Sequence, residues 1–115
     1  MNEFSSARAM SHLAQIAKAP HPVGSTAHTQ VRNYILNELT VLGLKPEVQE
    51  TSVSNIVARI NGVRNSKALL LLGHYDTVQN SPGAGDDSSG VAVMLETARA
   101  LQASGPLNND VILLS

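Results

Sequence analysis

Apolar positions fall into a succession of helical and extended patterns along the chain. Met10, Leu13, Ala14 and Ala17 recur at the spacing of one buried helical stripe, which predicts a first helix from Ser5 or Ser6 to about Lys18. Ala19-Pro20-His21-Pro22 closes it, because a residue before proline avoids helical backbone angles. Val31, Ile35, Leu39 and Leu42 predict a second helix from about Ala27, started by Ser25 or Thr26 and stopped at Gly43. His12 falls off its stripe and is read as solvated, and His28, in the first turn of the second helix, is read as exposed. Lys45–Glu50 alternates weakly, as a short edge strand does. Ser54–Ile60 alternates better, with Ile56, Ala58 and Ile60 on one face. Asn61-Gly62 is a turn signal, and the return through Ala68–Leu72 predicts two antiparallel neighbours. The unbroken run Ala68-Leu69-Leu70-Leu71-Leu72 reads as a strand buried on both faces. Val91, Met94, Leu95, Ala98 and Leu101 give a third helix, capped by Ser88 or Ser89, running to about Ala103 and stopped by Gly105-Pro106. Within it Glu96 and Arg99 are spaced to pair on the outer face. Val111–Leu114 is another apolar strand. Strand, helix, strand predicts a right-handed crossover between parallel neighbours.

The chemistry collects where the apolar run stops. Gly73-His74-Tyr75-Asp76-Thr77 and Gly83-Ala84-Gly85-Asp86-Asp87-Ser88-Ser89-Gly90 bring one imidazole and three carboxylates into glycine-rich loops. Ligands bind beyond the carboxyl ends of strands in open α/β sheets, which places His74 at a binding edge. Imidazole and carboxylate oxygen are good zinc ligands. Side chains two apart on an extended chain share a side, so Asp76 can orient the ring of His74 rather than bind metal. A carboxylate in the Asp86-Asp87 pair can bridge two ions. Each piece has an ordinary explanation when taken singly. His-x-Asp occurs on many surfaces, and Asp-Asp-Ser-Ser suits any helix start. Their arrangement between a strand and a crossover helix favours the metal reading.

Leu72-Gly73-His74-Tyr75-Asp76-Thr77-Val78, the Ser81-Pro82-Gly83-Ala84 lead-in and Asp86-Asp87-Ser88-Ser89-Gly90-Val91-Ala92 resemble the co-catalytic two-zinc aminopeptidase family. His21-Pro22-Val23-Gly24-Ser25 and its helix look like the branch related to the endoplasmic-reticulum metallopeptidases. The resemblance runs from about Phe4 to Ser115. It implies an α/β three-layer sandwich with a mixed, mostly parallel sheet, incomplete on its carboxyl-terminal side. It implies two zinc ions, with His74 and Asp86 as metal ligands, Asp86 bridging, and Asp76 supporting His74. It makes Asp87 a non-ligand, joined to Asp86 by a bond that is often cis. The segment around His21 becomes structural or substrate-proximal, not metal-binding. The implied activity is removal of amino-terminal residues from peptides. The family's Glu-Glu pair and later Asp and His have no counterpart here. Residues 1–115 are therefore expected to form a single partial catalytic domain, inactive by itself. A related dizinc carboxypeptidase or deacylase is the alternative, although that group usually carries a single Asp and a basic residue in this loop. A non-catalytic module on the same scaffold is a further one.

Composition narrows the remaining classes. The 115 residues are 43% hydrophobic, with a net charge of -1 and 3% aromatic residues, which offers nothing to nucleic acid or an anionic membrane. There is no cysteine, hence neither a disulfide framework nor a thiolate metal site. Met1–Ser6 lacks the basic and apolar parts of a signal peptide, and no run approaches a membrane span. The compartment is not fixed by this, and relatives in the family often carry an upstream signal or anchor. The apolar Val111–Leu114 strand, with nothing following to cover it, is expected to drive self-association.

Overall fold

The computed structural model describes residues 2–64 and 67–115. Three helices, α1 (Ser6–Ile16), α2 (Thr26–Val41) and α3 (Ser89–Ser104), accompany four strands, β1 (Glu47–Glu50), β2 (Ser54–Ile60), β3 (Ala68–Leu72) and β4 (Asp110–Leu114). The sheet order is β1-β2-β4-β3. β1–β2 and β2–β4 are antiparallel, and β3–β4 is parallel. The sheet is mixed, and β3-α3-β4 is the predicted crossover. None of the three helices is long and apolar enough to cross a membrane.

Ile56, Ala58 and Ile60 from β2 lie on the same sheet face as Val111 and Leu113 from β4, by the register Ala58↔Leu113 and Ile60↔Val111. Val31, Ile35 and Leu39 of α2 and Val91, Met94, Leu95 and Ala98 of α3 pack on that face to form one core. Burial of each Val, Leu, Ile or Met side chain among these contributes about 1.5–3 kcal/mol. α2 follows its predicted stripe. Its N-cap is Ser25, whose hydroxyl accepts from the His28 N–H, and Gly43 takes a positive φ of 87° just beyond it.

Several sequence expectations are corrected. β3 is not a strand buried on both faces. It is an edge strand, with Leu69, Leu70 and Leu72 60%, 51% and 71% exposed and only Leu71 against the core. Nor are β2 and β3 neighbours, because β4 inserts between them. β4 is thus an inner strand rather than an uncovered edge. Asn61-Gly62 makes no hairpin. The chain instead runs beside the approach to β4, with Val63 N–H donating to Leu107 O and Arg64 N–H to Asn108 O. A side chain at Gly62 would place Cβ 2.4 Å from the Asn109 carbonyl carbon, so this approach demands glycine.

The buried face of α1 is rotated from the predicted one. Ala9 and Ile16 are buried with Leu13 partly so, while Met10 is 61% exposed. His12 is therefore on the inward side, not solvated. Its Nδ1 lies 2.7 Å from the Tyr34 hydroxyl, and burial pushes its pKa down against the pull of Glu38 and Glu96. Glu96 is also not on an outer face. It is fully buried beneath α1, paired with Arg99 and accepting the Ser5 N–H at 2.9 Å.

Asp110 ties the start of β4 to the end of β2. It accepts from Gly62 N–H at 2.6 Å and from the Arg59 guanidinium. These two partners, Gly62 first, hold its carboxyl below the ordinary Asp range. A depressed carboxyl contributes stability above the unfolded pKa and loses it as pH falls through the folded one. Asp110→Asn is therefore expected to lower the urea midpoint at pH 7. The gap to the parent should close as pH falls below 4, the ordinary Asp pKa being about 3.9. An unchanged gap at pH 3 would sink this account.

Candidate metal centre

The site grows from the carboxyl end of β3. Gly73 N–H donates to Leu114 O and carries the parallel pairing one residue further. The chain then remains extended, so alternate side chains point to opposite sides. Tyr75 points inward and is buried. Its hydroxyl donates to Ser54 O at 2.7 Å, and its ring stacks on His28 with centroids 4.7 Å apart and planes 21° from parallel. His28, expected at the surface, is 8% exposed because of this stack. Burial lowers its pKa, opposed by Asp76.

His74 and Asp76 point the other way. His74 Nδ1 lies 3.1 Å from Asp76 Oδ1 and 3.2 Å from the Asp76 carbonyl. Both partners only accept here, so Nδ1 carries the proton, as a metal-binding imidazole requires. Nε2 lies 3.0 Å from Asp86 Oδ1. Partial burial pulls the His74 pKa down, but hydrogen bonds to the Asp76 carbonyl and to Asp86 outweigh it and hold it above the ordinary value.

Asp86 and Asp87 lie in a tight turn, Ala84–Ser88, entered through Gly83 at a φ of 65° and joined by a cis peptide bond, as the resemblance implied. Asp86 faces outward, its side chain 88% exposed. Asp87 turns inward. Its Oδ2 accepts the His74 N–H at 3.2 Å, and its carboxylate lies over Gly73 and Gly90. A Cβ at Gly90 would come 2.4 Å from Asp87 Oδ1. Asp87 thus fixes the backbone that carries His74. The sequence signal for it was the pair of glycines at 73 and 90, which no cap or turn rule explains.

A cavity of about 370 Å³ between α1, α2 and α3 is lined by Arg8, His12, Tyr34 and Glu38, away from the site, whereas one of about 490 Å³ borders it, lined by Gly73, His74, Asp87 and Ser115 among others. The cavity between the two loops holds about 220 Å³ and is lined by His74, Asp76, Thr77, Ser81 and Asp86 among others. His74 and Asp86 meet there, and Asp76 backs His74. His21 does not join them. Among the described residues no three metal-capable side chains converge. The pair present fits zinc nonetheless. Tetrahedral zinc with bonds of about 2.0–2.2 Å holds its ligand atoms about 3.3 Å apart, close to the 3.0 Å seen between Nε2 and Oδ1.

The family model described as Peptidase family M28 matches residues 55–115. This chain belongs to that family. The chain is similar to the "Vacuolar membrane protease" of Schizosaccharomyces japonicus, 36% identical over 91% of this chain and 15% of that protein. It is also similar to the "Endoplasmic reticulum metallopeptidase 1" of Rattus norvegicus, 42% identical over 55% of this chain and 7% of that protein. Among solved structures, a Zn-dependent exopeptidase from Parabacteroides distasonis superposes with a TM-score of 0.83 at 26% identity, over 97% of this chain and 46% of that one. A glutaminyl cyclase from Tannerella forsythia gives a TM-score of 0.82 at 27% identity, over 96% and 46%. The chain therefore spans less than half the length of these relatives. Its M28 membership and zinc-exopeptidase-like α/β fold agree with the resemblance read from the loops.

Proposed function

We propose that this M28 chain carries one part of a two-zinc aminopeptidase centre, acting on peptides with a free amino terminus. The observation that supports it most is the convergence of His74 Nε2 and Asp86 Oδ1 on the cavity, with Asp76 locking the other ring nitrogen. Bound zinc would supply an activated water and polarise the scissile carbonyl. His74 and Asp86 would hold it, Asp86 with an oxygen to spare for a second ion. Asp76 would keep the Nδ1 proton in place. Asp87 would keep the main chain at His74 from shifting. No Glu lines this cavity among the described residues, and Glu96 is committed to Arg99. The 115-residue chain is accordingly expected to bind zinc without turning over substrate.

Zinc titration by isothermal calorimetry tests the centre, with the ring resonances of His74 locating the bound ion in the parent. Asp86→Ala and His74→Ala are each expected to weaken binding by about 100-fold or more, beyond the 10–100-fold typical of outer partners. Equal affinity in parent and both variants would remove the centre from these loops. Leucine-anilide hydrolysis, abolished by chelator, is the signature of the activity, and its absence is expected for this chain alone. The glutaminyl cyclase neighbours favour a second reading, cyclisation of amino-terminal glutamine. Cyclisation without anilide hydrolysis would replace the peptidase reading.

We propose further that the isolated chain self-associates, through the exposed β3 edge rather than through β4. Light scattering is expected to show species larger than a monomer, reduced by Leu70→Lys. A monodisperse parent monomer would contradict it.

A further inference from the structure

We propose that His21 is a positioning residue that locks together the two loops of the metal centre. The proposal rests on the metal-centre reading above. One loop runs from Gly73 to Val78 and carries His74 and Asp76. The other runs from Gly83 to Ser88 and carries Asp86 and Asp87. His21 belongs to neither, and it is 0% exposed.

Its main chain holds the first loop. His21 N–H donates to Thr77 Oγ1 at 2.7 Å, and Thr77 N–H donates to His21 O at 3.3 Å. Its ring reaches the second loop. His21 Nδ1 lies 2.8 Å from Ala19 O, and a carbonyl only accepts, so Nδ1 bears the proton. Nε2 is then an acceptor and faces Ser88 Oγ at 3.5 Å, the outer limit of a hydrogen bond. Ser88 is 1% exposed, and its hydroxyl finds no other partner among the described residues. A buried hydroxyl left unpaired is penalised, so this long contact is favoured over none.

The placement explains the proline on either side. Pro20 and Pro22 fix φ near -65° and leave His21 little room to turn. Pro22 O accepts both the hydroxyl and the N–H of Ser25, the cap of α2, at 2.7 and 3.1 Å. His21 is thereby anchored to the start of a helix. Thr77 follows Asp76 directly, and Ser88 lies two residues after Asp86. Among the described residues, no other residue outside the two loops hydrogen-bonds to both. Sliding one loop against the other would change the Nε2–Oδ1 separation on which metal binding depends.

The test compares zinc affinity at His74, read from its ring resonances, in the full parent chain, His21→Ala, Ser88→Ala and the double variant. Each single variant is expected to bind about tenfold more weakly, the lower end for outer partners of a metal ligand. The double variant should be no weaker than His21→Ala, because both changes break one link. A purely structural His21 would lower the melting point and leave the zinc affinity of the folded chain unchanged. That result in His21→Ala overturns the proposal. If His21→Ala does not fold, Ser88→Ala decides, and parent-like affinity there overturns it equally. A parent chain whose His74 ignores zinc removes the metal centre and this proposal together, whereas zinc binding untouched by either substitution removes the proposal alone.

Discussion

Glu96→Ala is expected to lower the thermal midpoint of this chain by about 12 °C. Glu96 is 0% exposed in the middle of α3. Its two oxygens receive Arg99 Nε at 3.0 and 2.8 Å, Arg99 Nη2 at 2.7 Å and the Ser5 N–H at 2.9 Å. Arg99 also donates to Glu3 O at 2.7 Å, so the pair fastens residues 3–5 across α3. Those hydrogen bonds, with Arg99 first, hold the Glu96 carboxyl below its ordinary range, against burial. Removing Glu96 forfeits the charged hydrogen bonds from Arg99 and from the Ser5 N–H, each worth about 1.5–3 kcal/mol, hence about 3–6 kcal/mol together. At about 4 °C per kcal/mol for a domain near this size, the lower figure gives the stated shift. A melt by far-UV circular dichroism reads it directly. The double change Glu96→Met with Arg99→Leu separates the charge from its packing and should recover much of the loss. A single Glu96→Ala melt within 3 °C of the parent would show that the pair contributes nothing net.

Gly90→Ala sets two magnitudes against each other. Gly90 is in the first turn of α3, where alanine is favoured over glycine by about 1 kcal/mol on propensity. The added Cβ would lie 2.4, 2.7 and 2.8 Å from Asp87 Oδ1, Oδ2 and Cγ. Overpacking of this kind costs about 1–3 kcal/mol. Moving Asp87 away also forfeits its hydrogen bond from the His74 N–H, worth about 1.5–3 kcal/mol for a charged acceptor. The losses exceed the gain, so net destabilisation of about 2 kcal/mol is expected. Urea unfolding measures it, and zinc affinity should fall with it because the backbone at His74 is released. Asp87→Ala in the Gly90→Ala background removes the clash and should restore part of the stability. A Gly90→Ala chain more stable than the parent would mean that Asp87 has room to move.

The sequence was most legible where one local rule acted alone. α2 and β2 have strong periods and clear boundaries, and both appear as read, with Ser25 and Gly43 at the ends of α2. The convergence of His74, Asp76 and Asp86 was legible because short-range geometry brings them together at one strand end. Errors arose where a partner distant in sequence decided the outcome. Met10 suggested one face for α1, but Tyr34 gives His12 a polar partner on another, and that face is buried. His28 was read as exposed because nothing near it in sequence announces the Tyr75 ring. Glu96 looked like a surface charge because its third ligand, the Ser5 N–H, comes from 91 residues away. The leucines of β3 suggested burial on both faces, yet only Leu71 reaches the core, because no periodicity states which strand lies alongside.

The insertion of β4 between β2 and β3 also fixes an order of events during synthesis. The β1–β2 hairpin has both its halves by residue 60, whereas β3 gains its partner only when residues 110–114 have been translated. At about 5–20 residues per second, the 42 residues separating Leu72 from Leu114 take about 2–8 s. Throughout that interval a nascent chain carries Ala68-Leu69-Leu70-Leu71-Leu72 with no mate in its own sequence. This is the period in which a ribosome-associated holdase would meet a pentapeptide it can bind, and in which a pause between codons 72 and 110 would lengthen the exposure.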